Sequence, residues 1–161
     1  MPPTPPSSGR QTHKDESLTG DSVSDLFVDR ILEGSNAPGA RLTEREIASV
    51  AGCTHARARE ALHHLEKAGA VRMFRHRGAV VVSAEDAPPQ EIDAVWSRLL
   101  PLLEELAGDR LSTSDPDLDA RARFTAETEQ LDRLGALAGD LKLTILLKRL
   151  ALHRAIVSVS R

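Results

Sequence analysis

Apolar positions along the chain recur at helical spacing in its first structured stretch. Val23, Leu26, Phe27 and Ile31 predict a helix that Asp21 can cap and Gly34 can end. A short turn, Asn36-Ala37-Pro38-Gly39, follows it. A second helix opens at Thr43, where Thr43-Glu44-Arg45-Glu46 has the form of a capping box. Ile47, Ala48 and Ala51 give it an apolar face, and Gly52 ends it in a left-handed conformation. Thr54 then caps a third helix, with Ala58, Ala61, Leu62 and Leu65 as its buried stripe and Gly69 as its end. Only Gly52-Cys53-Thr54 separates the second helix from the third. Two helices joined so tightly must cross steeply, as in a helix-turn-helix.

The pattern then changes. Val71-Arg72-Met73-Phe74 and Ala79-Val80-Val81-Val82 are short apolar runs around the turn Arg75-His76-Arg77-Gly78. They predict a hairpin with a cationic tip, the form of a wing. Ser83 to Pro89 reads as a linker, and everything beyond it as helical. Ile92, Val95, Trp96, Leu99, Leu100, Leu103 and Leu106 form one broad stripe, in a helix that Pro101 should kink. Ser114-Asp115-Pro116 looks like the start of a helix running to about Ala138, before Gly139. A last apolar helix contains Leu143, Leu146, Leu147, Leu150 and Ile156. The expected fold is mostly α: an N-terminal winged helix-turn-helix of three helices plus a β-hairpin, then an all-helical C-terminal domain. The expected divisions are a disordered tail at 1–20, the winged domain at 21–83 with its motif at 43–62, a linker at 84–90, and the helical domain at 91–161.

Composition narrows the function. Of 161 residues, 2% are aromatic, so the core must be aliphatic, and stacking of single-stranded bases on aromatic platforms is disfavoured. One cysteine, Cys53, excludes an internal disulfide and a cysteine-pair zinc cluster, and fits a reducing cytoplasm. No apolar run is long enough to span a membrane, and the first residues lack the apolar core of a secretory signal. Net charge is −3 but uneven. Residues 41–78 hold eight Lys/Arg against four Asp/Glu, while both flanks are acidic. A basic island of this kind suits phosphate neutralisation by a DNA-binding head.

A recognition helix reads bases from its N-terminal half. Here that half is Thr54-His55-Ala56-Arg57-Ala58-Arg59. Arg57 and Arg59 can reach guanine N7 and O6, or phosphates; His55 can donate to either, and Thr54 suits a phosphate or the helix cap. Arg45 can reach the adjoining backbone. Arg75, His76 and Arg77 can touch phosphates or enter the minor groove, and Gly78 allows close approach. A structural alternative is that Arg59 pairs with Glu66. His63 and His64 read as surface residues and Cys53 as a small hydrophobe. No phosphate-cradling Gly loop, nucleophile elbow or metal-ligand run exists, so an enzyme is not expected, nor a cofactor or bound metal.

The stretch from Val23 to Val82 resembles the reading head of the GntR family. The resemblance rests on Ile31-Leu32-Glu33-Gly34, Ala37-Pro38-Gly39-Ala40-Arg41-Leu42, Thr43-Glu44-Arg45-Glu46-Ile47-Ala48, Arg59-Glu60-Ala61-Leu62, Gly69-Ala70-Val71 and Arg77-Gly78-Ala79-Val80-Val81. It implies DNA contacts at Arg45, Thr54, His55, Arg57, Arg59 and the wing around His76 and Gly78. The family usually starts its recognition helix with Ser-Arg-Thr, where this chain has Thr54-His55-Ala56, so an operator cannot be carried over. Asp93-Ala94-Val95-Trp96-Ser97-Arg98 and the later Leu143 to Leu150 stretch resemble the FCD effector domain of the FadR-type subgroup, in a shortened form. Many such domains hold a divalent metal through an Asp and a His four residues on. Here Arg149 stands four residues before His153.

The resulting expectation is a regulator, read as a repressor, that binds palindromic double-stranded DNA as a homodimer. Leu99, Leu103, Leu146, Leu150 and Ile156 are expected to form part of the interface between copies. The alternative is a metabolite- or metal-responsive sensor with a working pocket in the helical half, for an unidentified small-molecule effector.

Overall fold

The computed structural model describes residues 18–74, 78–86, 88–112, 115 and 117–159. In chain order the elements are α1 (Gly20–Leu32), β1 (Arg41–Leu42), α2 (Glu44–Ala51), α3 (His55–Ala68), β2 (Val71–Phe74), β3 (Gly78–Val81), α4 (Pro89–Ala107), α5 (Ala120–Ala138) and α6 (Leu141–Ser158). The fold is mostly α, with a winged helix-turn-helix followed by a helical part.

Local chemistry sets most of the helix ends. Thr43 accepts a hydrogen bond from Glu46 N, and Thr54 accepts one from Arg57 N. Each side chain satisfies one backbone donor that a helix start leaves without a partner. Gly52 closes α2 at φ 64°, a left-handed conformation that a Cβ disfavours. That one residue redirects the chain into α3. The cap of α1 is Thr19, not Asp21. Asp21 lies one residue inside the helix, and its carboxylate meets His64 of α3 at 2.5 Å. His64 is therefore half-buried rather than a plain surface residue.

The sheet has a third strand that periodicity did not predict. Its order is β1-β3-β2, with Arg41 opposite Val80 and Leu42 opposite Ala79. Only two residues long, β1 shows no alternation of its own, and its partner lies far along the sequence. The hairpin itself has the register Val71–Val81 through Phe74–Gly78, so Gly78 belongs to the strand and not to the turn. Arg75, His76 and Arg77, expected at the tip, lie outside the described residues.

Two helix starts in the helical part differ from those expected. Pro89 opens α4 inside the expected linker, and the helix runs unbroken through Pro101. Ser83 donates twice to Asp86, whose carboxylate also meets Arg72 of β2 at 2.8 Å. The connection is thus pinned to the wing. The next helix starts at Ala120, capped by Asp119, rather than near Asp115. Asp115 instead stabilises a turn, accepting from the backbone of Asp117 and Leu118.

Two apolar cores result. Val23, Phe27, Ile31, Leu42, Ile47, Leu62, Leu65 and Val81 make the first, and Leu152, Ala155 and Ile156 of α6 complete it. Trp96, Leu103, Leu131, Leu134, Leu147 and Ala151 make the second, among α4, α5 and α6. Phe124 packs against both. Hence α6 serves two masters: one face closes the helical bundle, and its C-terminal turns roof the head. This corrects the expected interface between copies, because Leu103 and Ile156 are fully buried within the chain. Leu146 does remain open, as do Val95, Leu102, Leu106, Leu137, Leu141 and Ile145.

Candidate nucleic-acid interface

Burial of one face of α3 dictates what the other can do. Ala58, Ala61, Leu62 and Leu65 are driven into the head core, so His55, Ala56, Arg57 and Arg59 stand in solvent. Thr54 is also exposed; its hydroxyl oxygen accepts the cap hydrogen bond, and the O–H remains a donor. Arg45, in the first turn of α2, is exposed and has no ion pair among the described residues. Arg45 and the outer face of α3 therefore come from adjoining elements of a single unit.

The two arginines of α3 are held differently. Arg57 gives Nη1 to Glu60 Oε2 at 2.8 Å, along its own helix. Arg59 reaches back to α2 and grips Glu44 with two parallel bonds, Nε–Oε1 at 2.8 Å and Nη2–Oε2 at 3.2 Å. The expected structural partner of Arg59, Glu66, instead lies near His63 at 3.9 Å. The fork from Arg59 holds the Glu44 carboxyl below the usual carboxylate range, and His55 and His63 add to the effect. Nothing in the local sequence points to this pair, because its members are 15 residues apart and on different helices.

At the wing, Gly78 has φ +78°, and a Cβ there would stand 2.8 Å from the Leu42 carbonyl oxygen. Glycine is required for β1 to lie against the wing strand. Arg41 of β1 sits exposed beside it and extends the basic surface, a residue that strand pairing reveals and periodicity does not. Arg72 is engaged by Asp86 and lies 4.8 Å over the Phe74 ring.

A second feature lies in the helical part. A cleft of about 250 Å³ opens among the first turns of α4 and α5 and the end of α6, with Ile92, Phe124, Arg123, Glu127 and Arg154 in its lining. Glu127 is 7% exposed. Burial pushes its carboxyl up, against the pull of Arg154 and Arg123. Arg154 is shared among Asp93 at 2.9 Å, Glu127 at 3.5 Å and the face of Trp96 at 4.6 Å. His153, the residue before Arg154 in α6, has a buried Nε2 without a hydrogen-bond partner among the described residues. Burial lowers its basicity first and Arg149 lowers it further, with Asp86 opposing.

Residues 19–81 match the family model of bacterial regulatory proteins, gntR family. No protein of curated function matches the chain significantly. Among solved structures, the fold is similar to that of a protein assigned as a transcriptional regulator GntR from Rhodococcus sp. RHA1. That similarity has 22% identity and a TM-score of 0.57, and it covers 88% of this chain and 74% of the other. Lar, which controls the expression of the Listeria monocytogenes agr system, matches at 20% identity and a TM-score of 0.46, over 86% and 73% of the two chains. A GntR family member from Pseudomonas syringae pv. tomato str. DC3000 matches at 22% identity and a TM-score of 0.38, over 88% and 69%.

Proposed function

Residues 19–81 being a GntR-family winged helix-turn-helix domain, we propose that the chain is a sequence-specific DNA-binding transcriptional regulator. One observation carries this reading. The exposed N-terminal half of α3 presents His55, Arg57 and Arg59, with Arg45 on the adjoining α2. In this reading α3 enters the major groove, Arg57 and Arg59 meet base edges or phosphates, and Arg45 and Thr54 hold the backbone. Gly78 and the basic residues 75–77 serve the flanking groove. The regulator acts as a repressor on a palindromic operator, as a homodimer with one head per half-site. The exposed apolar residues of α4 and α6, Leu102, Leu106, Ile145 and Leu146, supply the contact between copies.

Selection of bound duplexes from a random pool tests this reading. An enriched motif with two related halves is the expected result. Affinity for that motif should fall steeply with salt, and Arg57→Ala should weaken binding to it. A pool that yields no enriched sequence overturns the reading.

The cleft beside Glu127 and Arg154 favours a second function on the same chain, that of an effector-responsive regulator. A lining with both a buried carboxyl and guanidinium groups suits a small polar metabolite. A shift in DNA affinity on adding such a compound, lost in Glu127→Ala, is the corresponding test.

A further inference from the structure

We propose that Glu44 is a positioning residue that presents Arg59 end-on to a guanine, making Arg59 rather than Arg57 the base reader of this head. The proposal rests on the DNA-binding reading above and deepens it.

A guanidinium has a side edge, Nε with Nη2, and an end edge, Nη1 with Nη2. Glu44 occupies the whole side edge of Arg59 with its two oxygens. The end edge keeps two parallel N–H groups, the arrangement that fits guanine N7 and O6. The side chain remains 65% exposed, so this edge is open to an approaching duplex. The long Arg59 side chain is also fixed before DNA arrives, and less of its rotamer freedom is left to lose on binding.

Charge points the same way. A guanidinium already neutralised by a carboxylate is a poor phosphate ligand, yet it still donates hydrogen bonds to an uncharged base. Glu44 thus steers Arg59 away from the phosphates. Its own place at the first residue of α2, beside the positive end of that helix, favours a negative charge there. Arg57 is arranged otherwise. Its single bond to Glu60 uses Nη1 and stays on its own helix, so no two-point fork fixes the direction of its guanidinium. With the less constrained guanidinium, Arg57 serves the backbone.

The test uses the full chain and the motif selected by the wild type. Affinities are compared for the motif, for duplexes with each G·C pair changed to A·T, and for an unrelated duplex. Arg59→Ala should lose discrimination at one G·C position of the half-site, by about tenfold. Arg59→Lys keeps the charge but not the fork, and should lose the same discrimination. Glu44→Gln should lose it too, at that same position, while its affinity for the unrelated duplex stays equal or rises. In the double variant Glu44→Gln/Arg59→Ala no further loss is expected. A merely structural Glu44 would give a variant that binds every duplex more weakly and keeps its preference, and that result overturns the proposal. So does an Arg59→Ala variant with unaltered base preference. A wild-type chain that enriches no motif fails earlier, and overturns the DNA reading together with this one.

Discussion

Arg121 of α5 holds Asp29 of α1 in a side-on fork, with Nε–Oδ1 and Nη2–Oδ2 both 2.7 Å. Glu33 stands 3.6 Å from the same guanidinium. The fork joins residues 92 positions apart and lies on the seam between the head and the helical part. Both side chains are well exposed, so solvent screens the attraction, and the pair should be worth only about 0.2–1 kcal/mol. A double-mutant cycle with Asp29→Ala and Arg121→Ala, followed by urea unfolding, should return a coupling of that size. High salt should shrink it. A coupling several times larger would show that the fork carries the seam by itself.

Apolar burial is the stronger tie. Ile156 is fully buried among head residues although it belongs to the last helix. Truncating it leaves a cavity at the roof of the head, with a cost of about 2–5 kcal/mol. Because α6 also closes the second core, Ile156→Ala should lower one shared unfolding transition. Trp96 fluorescence reports the helical part and far-ultraviolet circular dichroism reports the whole chain. The two signals should move together. Separate transitions in the wild type would mean that the head folds without its roof.

Much of the head was legible because its determinants are local. The Thr43 and Thr54 caps, the Gly52 turn and the Ala58–Leu65 stripe each lie within a few residues of what they specify. The parts that stayed hidden depend on distant partners. Two residues of β1 carry no period, and only pairing with β3 makes them a strand. Arg59 has several carboxylates within reach on paper, and only the crossing of α2 and α3 selects Glu44. The start read at Ser114-Asp115-Pro116 missed Asp119, whose carboxylate accepts from Ala122 N and caps α5. The last helix carries apolar residues on several faces, and two of those faces meet different cores. Its pattern therefore could not tell Ile156, turned to the head, from Leu147, turned to the bundle.

Glu127 should make stability fall with rising pH. Its folded-state carboxyl titrates above the ordinary value of 4.5, so the native protein holds the proton longer than the unfolded chain does. Stability from this group is present below that value and is lost as pH rises through the raised folded one. Glu127→Gln removes the slope and also the cost of a buried charge. At neutral pH the variant should be more stable by about 1 kcal/mol, with the advantage fading in acid. Chemical denaturation across the pH range measures both. A less stable variant at neutral pH would mean that the Arg154 ion pair outweighs burial.

His153 should act in the opposite sense. Its folded-state basicity lies below the ordinary 6.5, so the unfolded chain takes up the proton first as pH falls. The stability it contributes is complete above 6.5 and drains away toward the lower folded value. Arg149 on the same helix repels the incoming charge, and Asp86, already held by Arg72, offsets it only in part. Replacing His153 by Leu should flatten the loss of stability as pH falls below 6.5. It also removes the buried, unpartnered Nε2. An unchanged slope would place the acid sensitivity elsewhere.

Gly78 offers a way to separate two kinds of strain. Its φ of +78° penalises a side chain by conformation, and the Leu42 carbonyl oxygen, 2.8 Å from where a Cβ would stand, penalises it by contact. Asparagine tolerates left-handed backbone better than alanine does, but it carries the same Cβ. If conformation dominates, Gly78→Asn should recover much of what Gly78→Ala loses. If contact with β1 dominates, the two variants should be equally destabilised, by about 1–3 kcal/mol. The 2.8 Å approach is to backbone, which cannot swing aside as a side chain would, so the contact term is expected to win. Both variants should then loosen the pairing of Arg41 and Leu42 with β3, visible as faster amide exchange at Val81, whose N–H bonds the Ala40 carbonyl at 2.9 Å. Recovery in Gly78→Asn, with exchange at Val81 as slow as in the wild type, would reverse that assignment.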